Sequence, residues 1–157
     1  MADARFQDAD ETPLRLIAQD AEGLGIFSAL LQDAVFPITE MTYAKGRRFA
    51  LLLNRFRWED RRAAEAQGRS YERVRSLLVF ENVGSVRTTG IDRAAPDTIL
   101  SLLQISFLPG VAGGGLVELI LAGDGALQLE VDAVEAQLND VTQPYLAPSR
   151  HLPQHRD

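Results

Sequence analysis

Leu14-Arg-Leu-Ile-Ala-Gln-Asp20 and Ala29-Leu-Leu-Gln-Asp-Ala-Val-Phe-Pro37 lead into Thr42-Tyr-Ala-Lys-Gly-Arg-Arg-Phe-Ala-Leu51. A second passage follows the same plan 72 residues on: Val86-Arg-Thr-Thr-Gly-Ile-Asp92, then Ser101-Leu-Leu-Gln-Ile-Ser-Phe-Leu-Pro109. After the six-residue stretch Gly110 to Gly115 comes Ile120-Leu-Ala-Gly-Asp-Gly-Ala-Leu-Gln-Leu129. The Asp20/Asp92, Gln32/Gln104 and Pro37/Pro109 matches punctuate structure and suggest an internal duplication of residues 14–59 and 86–138. Convergent patterning of two similar units is the alternative. Two copies do not make a solenoid, which stacks about three or more.

In the first unit, Leu14 to Ala18 reads as a short strand. Asp20 is a candidate N-cap, and Leu24, Phe27, Leu30, Leu31 and Ala34 follow at helical spacing. One helix over about 21–34 is expected, ended by Pro37. Residues 38–44 and 47–59 read as a hairpin around Lys45-Gly46. Phe49, Leu51 and Leu53 alternate, and then the apolar face jumps to Phe56 and Trp58. A bulge at Asn54-Arg55 would keep all five on one face, because the strand period is two.

The second unit shows the same jump. Leu127, Leu129 and Val131 alternate, followed by Val134, Ala136 and Leu138, which suggests a bulge at Asp132-Ala133. A helix starting at Asp132 is the rival reading. Asp92 is a second N-cap candidate, with a short helix over about 94–103 and a strand over 104–108. Between the units, residues 59–70 read as a mobile loop or short helical excursion, and 71–89 as one or two strands broken at Gly84. Each unit reads β-α-β-β. The expected class is α+β: a mainly antiparallel, strongly bent sheet with two covering helices. Residues 13–141 form the expected domain, with residues 1–12 and 142–157 as disordered ends.

The 157 residues carry a net charge of −6 that hides a segregation. Residues 1–44 hold two basic and eight acidic side chains, residues 45–75 ten and four, and residues 76–157 four and ten. Such blocks bear on association rather than fold. There is no cysteine, and no apolar run reaches the roughly 18 residues of a membrane span. The N-terminus has no secretory apolar core. A soluble cytoplasmic protein without membrane contact is the expectation.

The chemistry is sparse. His151 and His155 are the only histidines, separated by Pro153, which opposes the helix a metal pair would need. No metal and no cofactor are expected. Lys45, the sole lysine, falls in a hairpin turn, where a Schiff-base role is unfavourable. Asp92 and Asp97 are explained as caps more simply than as an acid/base pair. Gly113-Gly-Gly115 lacks the Lys and Ser/Thr of a phosphate loop. The surviving candidates are Arg47, Arg48, Asn54, Arg55 and Arg57 on the first hairpin. With the bulge in place, Arg48 and Arg57 would project outward and Arg55 would sit near the kink. Arginine forks suit carboxylate, phosphate or a nucleic-acid backbone. The second hairpin carries acids, Arg57 corresponding to Glu135. That contrast suggests a non-enzymatic interaction module that meets an acidic protein partner or a second copy of itself. An anion or RNA-backbone binder is the alternative.

Several blocks carry a family resemblance: Leu30-Leu-Gln-Asp-Ala-Val35, Arg47-Arg-Phe-Ala-Leu-Leu-Leu-Asn-Arg-Phe-Arg-Trp58, Gly90-Ile-Asp-Arg93, Leu100-Ser-Leu-Leu103 and Leu129-Glu-Val-Asp-Ala-Val-Glu-Ala136. Over about Leu14 to Asp140 the chain resembles an uncharacterised bacterial family, domain of unknown function 2948, with Arg47–Trp58 its most specific motif. The resemblance implies a small bacterial cytoplasmic protein and supplies no activity or catalytic residue.

Overall fold

A computed structural model describes residues 13–44, 47–92 and 94–146. The expectations for residues 1–12, the Lys45-Gly46 turn and the histidines fall outside them. β1 (Arg15–Ala18) leads to α1 (Ala21–Leu30), then β2 (Val35–Pro37), β3 (Met41–Ala44) and β4 (Arg48–Phe56). A 3₁₀ turn (Trp58–Asp60) and α2 (Arg61–Ala66) precede β5 (Glu72–Phe80) and β6 (Val83–Thr89). The chain continues through β7 (Ile99–Pro109), β8 (Gly115–Leu121), β9 (Ala126–Val131), β10 (Ala136–Asp140) and β11 (Tyr145–Leu146). The class is α+β, largely antiparallel sheet with two helices among the described residues.

The strands follow the order β1-β10-β5-β4-β2-β7-β8-β9-β6, with β3 on β4 and β11 on β5. The sheet is neither closed nor strongly curled, which corrects the strong bend expected from sequence. β7 links its two parts: Ile99, Leu100 and Ser101 pair with β2, and Leu102 onward pairs with β8. Both parts turn apolar side chains into one core. Leu51, Leu78 and Leu138 come from β4, β5 and β10, Leu119 and Leu129 from β8 and β9, and Leu24 and Phe27 from α1. No helix of the described residues is long and apolar enough to cross a membrane.

Asp20 caps α1 as expected, its carboxylate accepting the Gly23 N–H at 2.8 Å. A Cβ at Gly23 would lie 2.9 Å from that of Ala18, so glycine lets the helix pack onto β1. The helix stops at Leu30 rather than near Ala34. Asp33 turns at φ +66° and donates its N–H to the Leu102 carbonyl, while Ala34 accepts from Leu102. Pairing with β7 captures the chain before Pro37, which lies in β2.

Neither expected bulge exists. The β4–β5 register runs unbroken from Phe49↔Phe80 to Phe56↔Arg73, and Arg55 simply continues the inward alternation of Phe49, Leu51 and Leu53. Phe56 faces the other side, against Trp58 at 4.7 Å and Tyr71 at 5.5 Å between ring centroids. The phase jump is a change of face at the strand end. In the second half, β9 ends at Val131 and the chain crosses to β10, which pairs with β5 and β1; the rival helix at Asp132 is absent too. Register shifts occur instead at Val83/Ser85 and Leu102/Gln104.

The helix expected over 94–103 is also corrected. Asp92 accepts the Ala94 N–H at 2.9 Å in a local turn, and residues from Ile99 onward are strand. Strand partners along both edges of β7 override a helical spacing of three apolar residues. The second helix is α2, within the stretch read as a loop or helical excursion. The β-α-β-β order is therefore not repeated. The break after β5 falls at Glu81-Asn82, with Asn82 at φ +60°, and Gly84 marks the irregularity that follows. Tyr145–Leu146 form β11 inside the segment read as a tail.

Candidate functional site

The fold divides the arginine hairpin. From Arg48 to Arg55 a strand rises about 24 Å at about 3.4 Å per residue, so its two ends cannot hold one small ligand. At the first end, Arg47 pairs with Asp132 at 2.5 Å and Arg48 forks onto Glu81, with contacts of 2.7 to 3.1 Å. Both arginines are exposed, as expected for Arg48. Asn54 sits between Tyr145, whose hydroxyl meets its amide, and Arg73, which donates to its carbonyl oxygen at 3.2 Å.

The other end is buried. Arg55 is fully inaccessible and Arg57 nearly so, which overturns the outward projection of Arg57 and the kink position of Arg55. Without the bulge, strand alternation carries Arg55 inward, onto the same face as Ser76 and Asp140. Its guanidinium donates to Glu59 at 2.9 and 2.7 Å and to Asp140 at 3.1 and 3.1 Å, with Ser76 Oγ also at 3.1 Å. Ser76 and the Leu14 N–H complete the shell of Asp140, at 2.7 and 2.9 Å. Burial opposes the charge on Arg55, but the hydrogen bonds and charges of Glu59 and Asp140 outweigh it and hold the guanidinium above its ordinary range.

A second cluster adjoins it. Arg57 meets Glu72 and lies 3.8 Å from Asp60, which accepts both arms of Arg69 at 2.7 and 2.8 Å. Burial pushes Asp60 up, but hydrogen bonds from Arg69 and Glu72 and the two arginine charges prevail and hold it below the usual carboxylate range. Burial and the neighbouring Asp60 push Glu72 above that range. These networks tie the 3₁₀ turn and the α2 region to β5 and β10. Their chemistry is that of internal neutralisation: all four hairpin arginines end on carboxylates. The partner residues Glu59, Asp60, Ser76 and Asp140 carry no signal in the sequence, because all four lie outside β4, in the 3₁₀ turn, β5 and β10, and converge only when the sheet assembles. Among the described residues, no cluster of three or more His, Cys, Asp or Glu could hold a metal ion.

A different surface lies at the end of the strand order. β6 pairs with β9 along one edge, and its other edge pairs with no strand among the described residues. At Val83 that edge is occupied, since the N–H donates to the Arg47 carbonyl at 2.9 Å and the carbonyl accepts the Tyr43 hydroxyl at 2.7 Å. From Ser85 to Thr89 it makes no backbone pairing with the described residues. In an antiparallel strand, alternate residues direct N–H and C=O away from the existing partner.

Each face of this edge carries a hollow. On the inner face, Met41, Tyr43, Phe49, Val86, Thr88 and Leu127 enclose about 160 Å³ between β3 and β6. On the outer face, a groove of about 750 Å³ runs from Ser85 and Arg87 across Gln128 and Glu130 to the β7–β8 turn. That turn presents Leu108 at 67% and Val111 at 90% exposure. Ser85 donates to Glu130 at 2.8 Å, whereas Arg87 has no ion pair among the described residues. The sequence shows β6 as a β-prone run with Arg87 between Val86 and Thr88. An open edge is a property of the assembled sheet and leaves no mark on the strand's own residues.

Residues 14–155 match the family model described as a protein of unknown function, DUF2948. No curated protein and no solved structure matches the chain.

Proposed function

The chain belongs to the DUF2948 family, whose description names no activity, and on that premise we propose that it is a non-enzymatic interaction module capturing an extended segment of a partner protein along β6. The observation that carries this reading is the open edge from Ser85 to Thr89 with a hollow on each face. An added strand gains affinity from main-chain hydrogen bonds and specificity from pockets that receive alternate side chains. The partner surface thus moves away from the arginine hairpin. Arg55 and Arg57 are buried, and Arg47 and Arg48 are engaged by Asp132 and Glu81, so a partner anion there would compete with internal carboxylates. The same competition weighs against capture of an RNA backbone by these arginines.

The test is selection from a displayed library of random 12-residue peptides, followed by amide hydrogen exchange of the complex. Selected peptides should protect Ser85 to Thr89. Thr88→Lys, which places a charge at the mouth of the inner hollow, should abolish binding while leaving the circular dichroism spectrum unchanged. Binders that protect other backbone, or that tolerate Thr88→Lys, would overturn the reading. Salt-sensitive RNA binding lost in Arg47→Ala/Arg48→Ala would restore the hairpin in its place.

A further inference from the structure

Resting on the β6 reading, we infer that the captured segment carries a branched or aromatic apolar residue immediately next to an acidic one. The two hollows lie on opposite faces of one strand, and successive side chains of an added strand alternate between those faces. A residue opposite Val86 or Thr88 is directed to the inner hollow, and its neighbour, opposite Arg87, to the outer groove.

The inner hollow is chemically simple. Phe49 and Leu127 are buried in its wall, Met41 and Val86 are half-buried, and no charged side chain lines it. Its volume of about 160 Å³ is close to that of a dry apolar cavity of about 150 Å³ known to take benzene. One leucine, isoleucine or phenylalanine side chain suits it, and a charged group there would lose its hydration without a partner.

The outer position selects differently. Arg87 is exposed, without an ion pair among the described residues, and faces the groove beside Gln128, its cross-strand neighbour on β9. The nearby Glu130 already accepts from Ser85, and Gln128 donates to Glu118 at 2.9 Å. A carboxylate directly opposite Arg87 makes the favourable cross-strand pair, whereas a lysine makes a like-charge pair. Charge reversal at one position should therefore be readable in binding.

The probe is a fluorescent nine-residue peptide, Ser-Thr-Val-Thr-Leu-Asp-Val-Thr-Ser, blocked at both ends, with Leu→Ala and Asp→Lys versions. Anisotropy titrations use the full chain and its Arg87→Glu variant. The leucine-aspartate peptide should bind the wild type, and Leu→Ala should weaken it roughly tenfold or more. Asp→Lys should weaken binding about threefold and regain it on Arg87→Glu. If aspartate and lysine peptides bind the wild type equally while protecting Ser85 to Thr89 from exchange, the sequence preference is wrong and strand capture stands. If neither these peptides nor library-selected ones protect that edge, both fall.

Discussion

Replacing Arg55 with methionine would remove the centre of the buried network while keeping a similar volume. Asp140 would be the chief casualty. Its side chain is 5% exposed, so the carboxylate could not recover water, whereas Glu59, at 32%, could rehydrate in part. Breaking one partner out of a buried ion pair costs about 3–5 kcal/mol, mainly as the penalty on the charge left behind. Because one of the two carboxylates reaches solvent, the lower figure applies, about 3 kcal/mol. For a chain of this length that lowers Tm by about 6–12 °C. Urea denaturation followed by far-ultraviolet circular dichroism, with fluorescence of the single tryptophan, Trp58, measures it. Asp140→Asn supplies the control. In the double variant no carboxylate is stranded at position 140, so its cost should fall short of the sum of the single costs by about 1–2 kcal/mol. A loss below about 1 kcal/mol for Arg55→Met, or strict additivity, would refute the view that Arg55 and Asp140 neutralise one another inside the fold.

The Asp60/Glu72 pair predicts opposite responses to neutralisation. Asp60 is depressed in the folded state, so its contribution is full above its unfolded pKa and is lost as pH falls through the folded value. Asp60→Asn should cost about 2–3 kcal/mol near neutral pH, and the difference from wild type should shrink below about pH 4. Glu72 is raised, so its ionisation works against the fold above its unfolded pKa; Glu72→Gln should be neutral or stabilising at pH 7, a gain that disappears on acidification. Parallel urea titrations at about pH 7, pH 4 and pH 2.5 decide both, the middle value testing Glu72 and the lowest Asp60. Gly115→Ala should destabilise by about 1–3 kcal/mol, because a Cβ there would overlap the Leu108 carbonyl and press on the Phe107 ring; an unchanged melting temperature would show that the β7–β8 turn yields freely.

Local signals in the chain specify structure where one element settles its own geometry. Asp20 followed by Leu24 and Phe27 specifies a capped amphipathic helix, and the alternation of Phe49, Leu51 and Leu53 specifies a strand. The α+β class follows from such pieces. Elsewhere a partner decides. Pairing with β7 ends α1 early, strand partners on both edges extend β7 over an expected helix, and the apparent bulge at Asn54-Arg55 is a strand that carries an arginine into the interior. A rule that sends apolar residues inward cannot anticipate Arg55, because the cost of burying its charge is offset by Asp140, which is 85 residues away in sequence. Composition, the charge blocks and the arginine motif belong to the sequence alone. The neutralisation of those arginines and the open edge of β6 belong to the tertiary structure, because hydrogen-bond partners and free edges exist only between strands that have already been brought together.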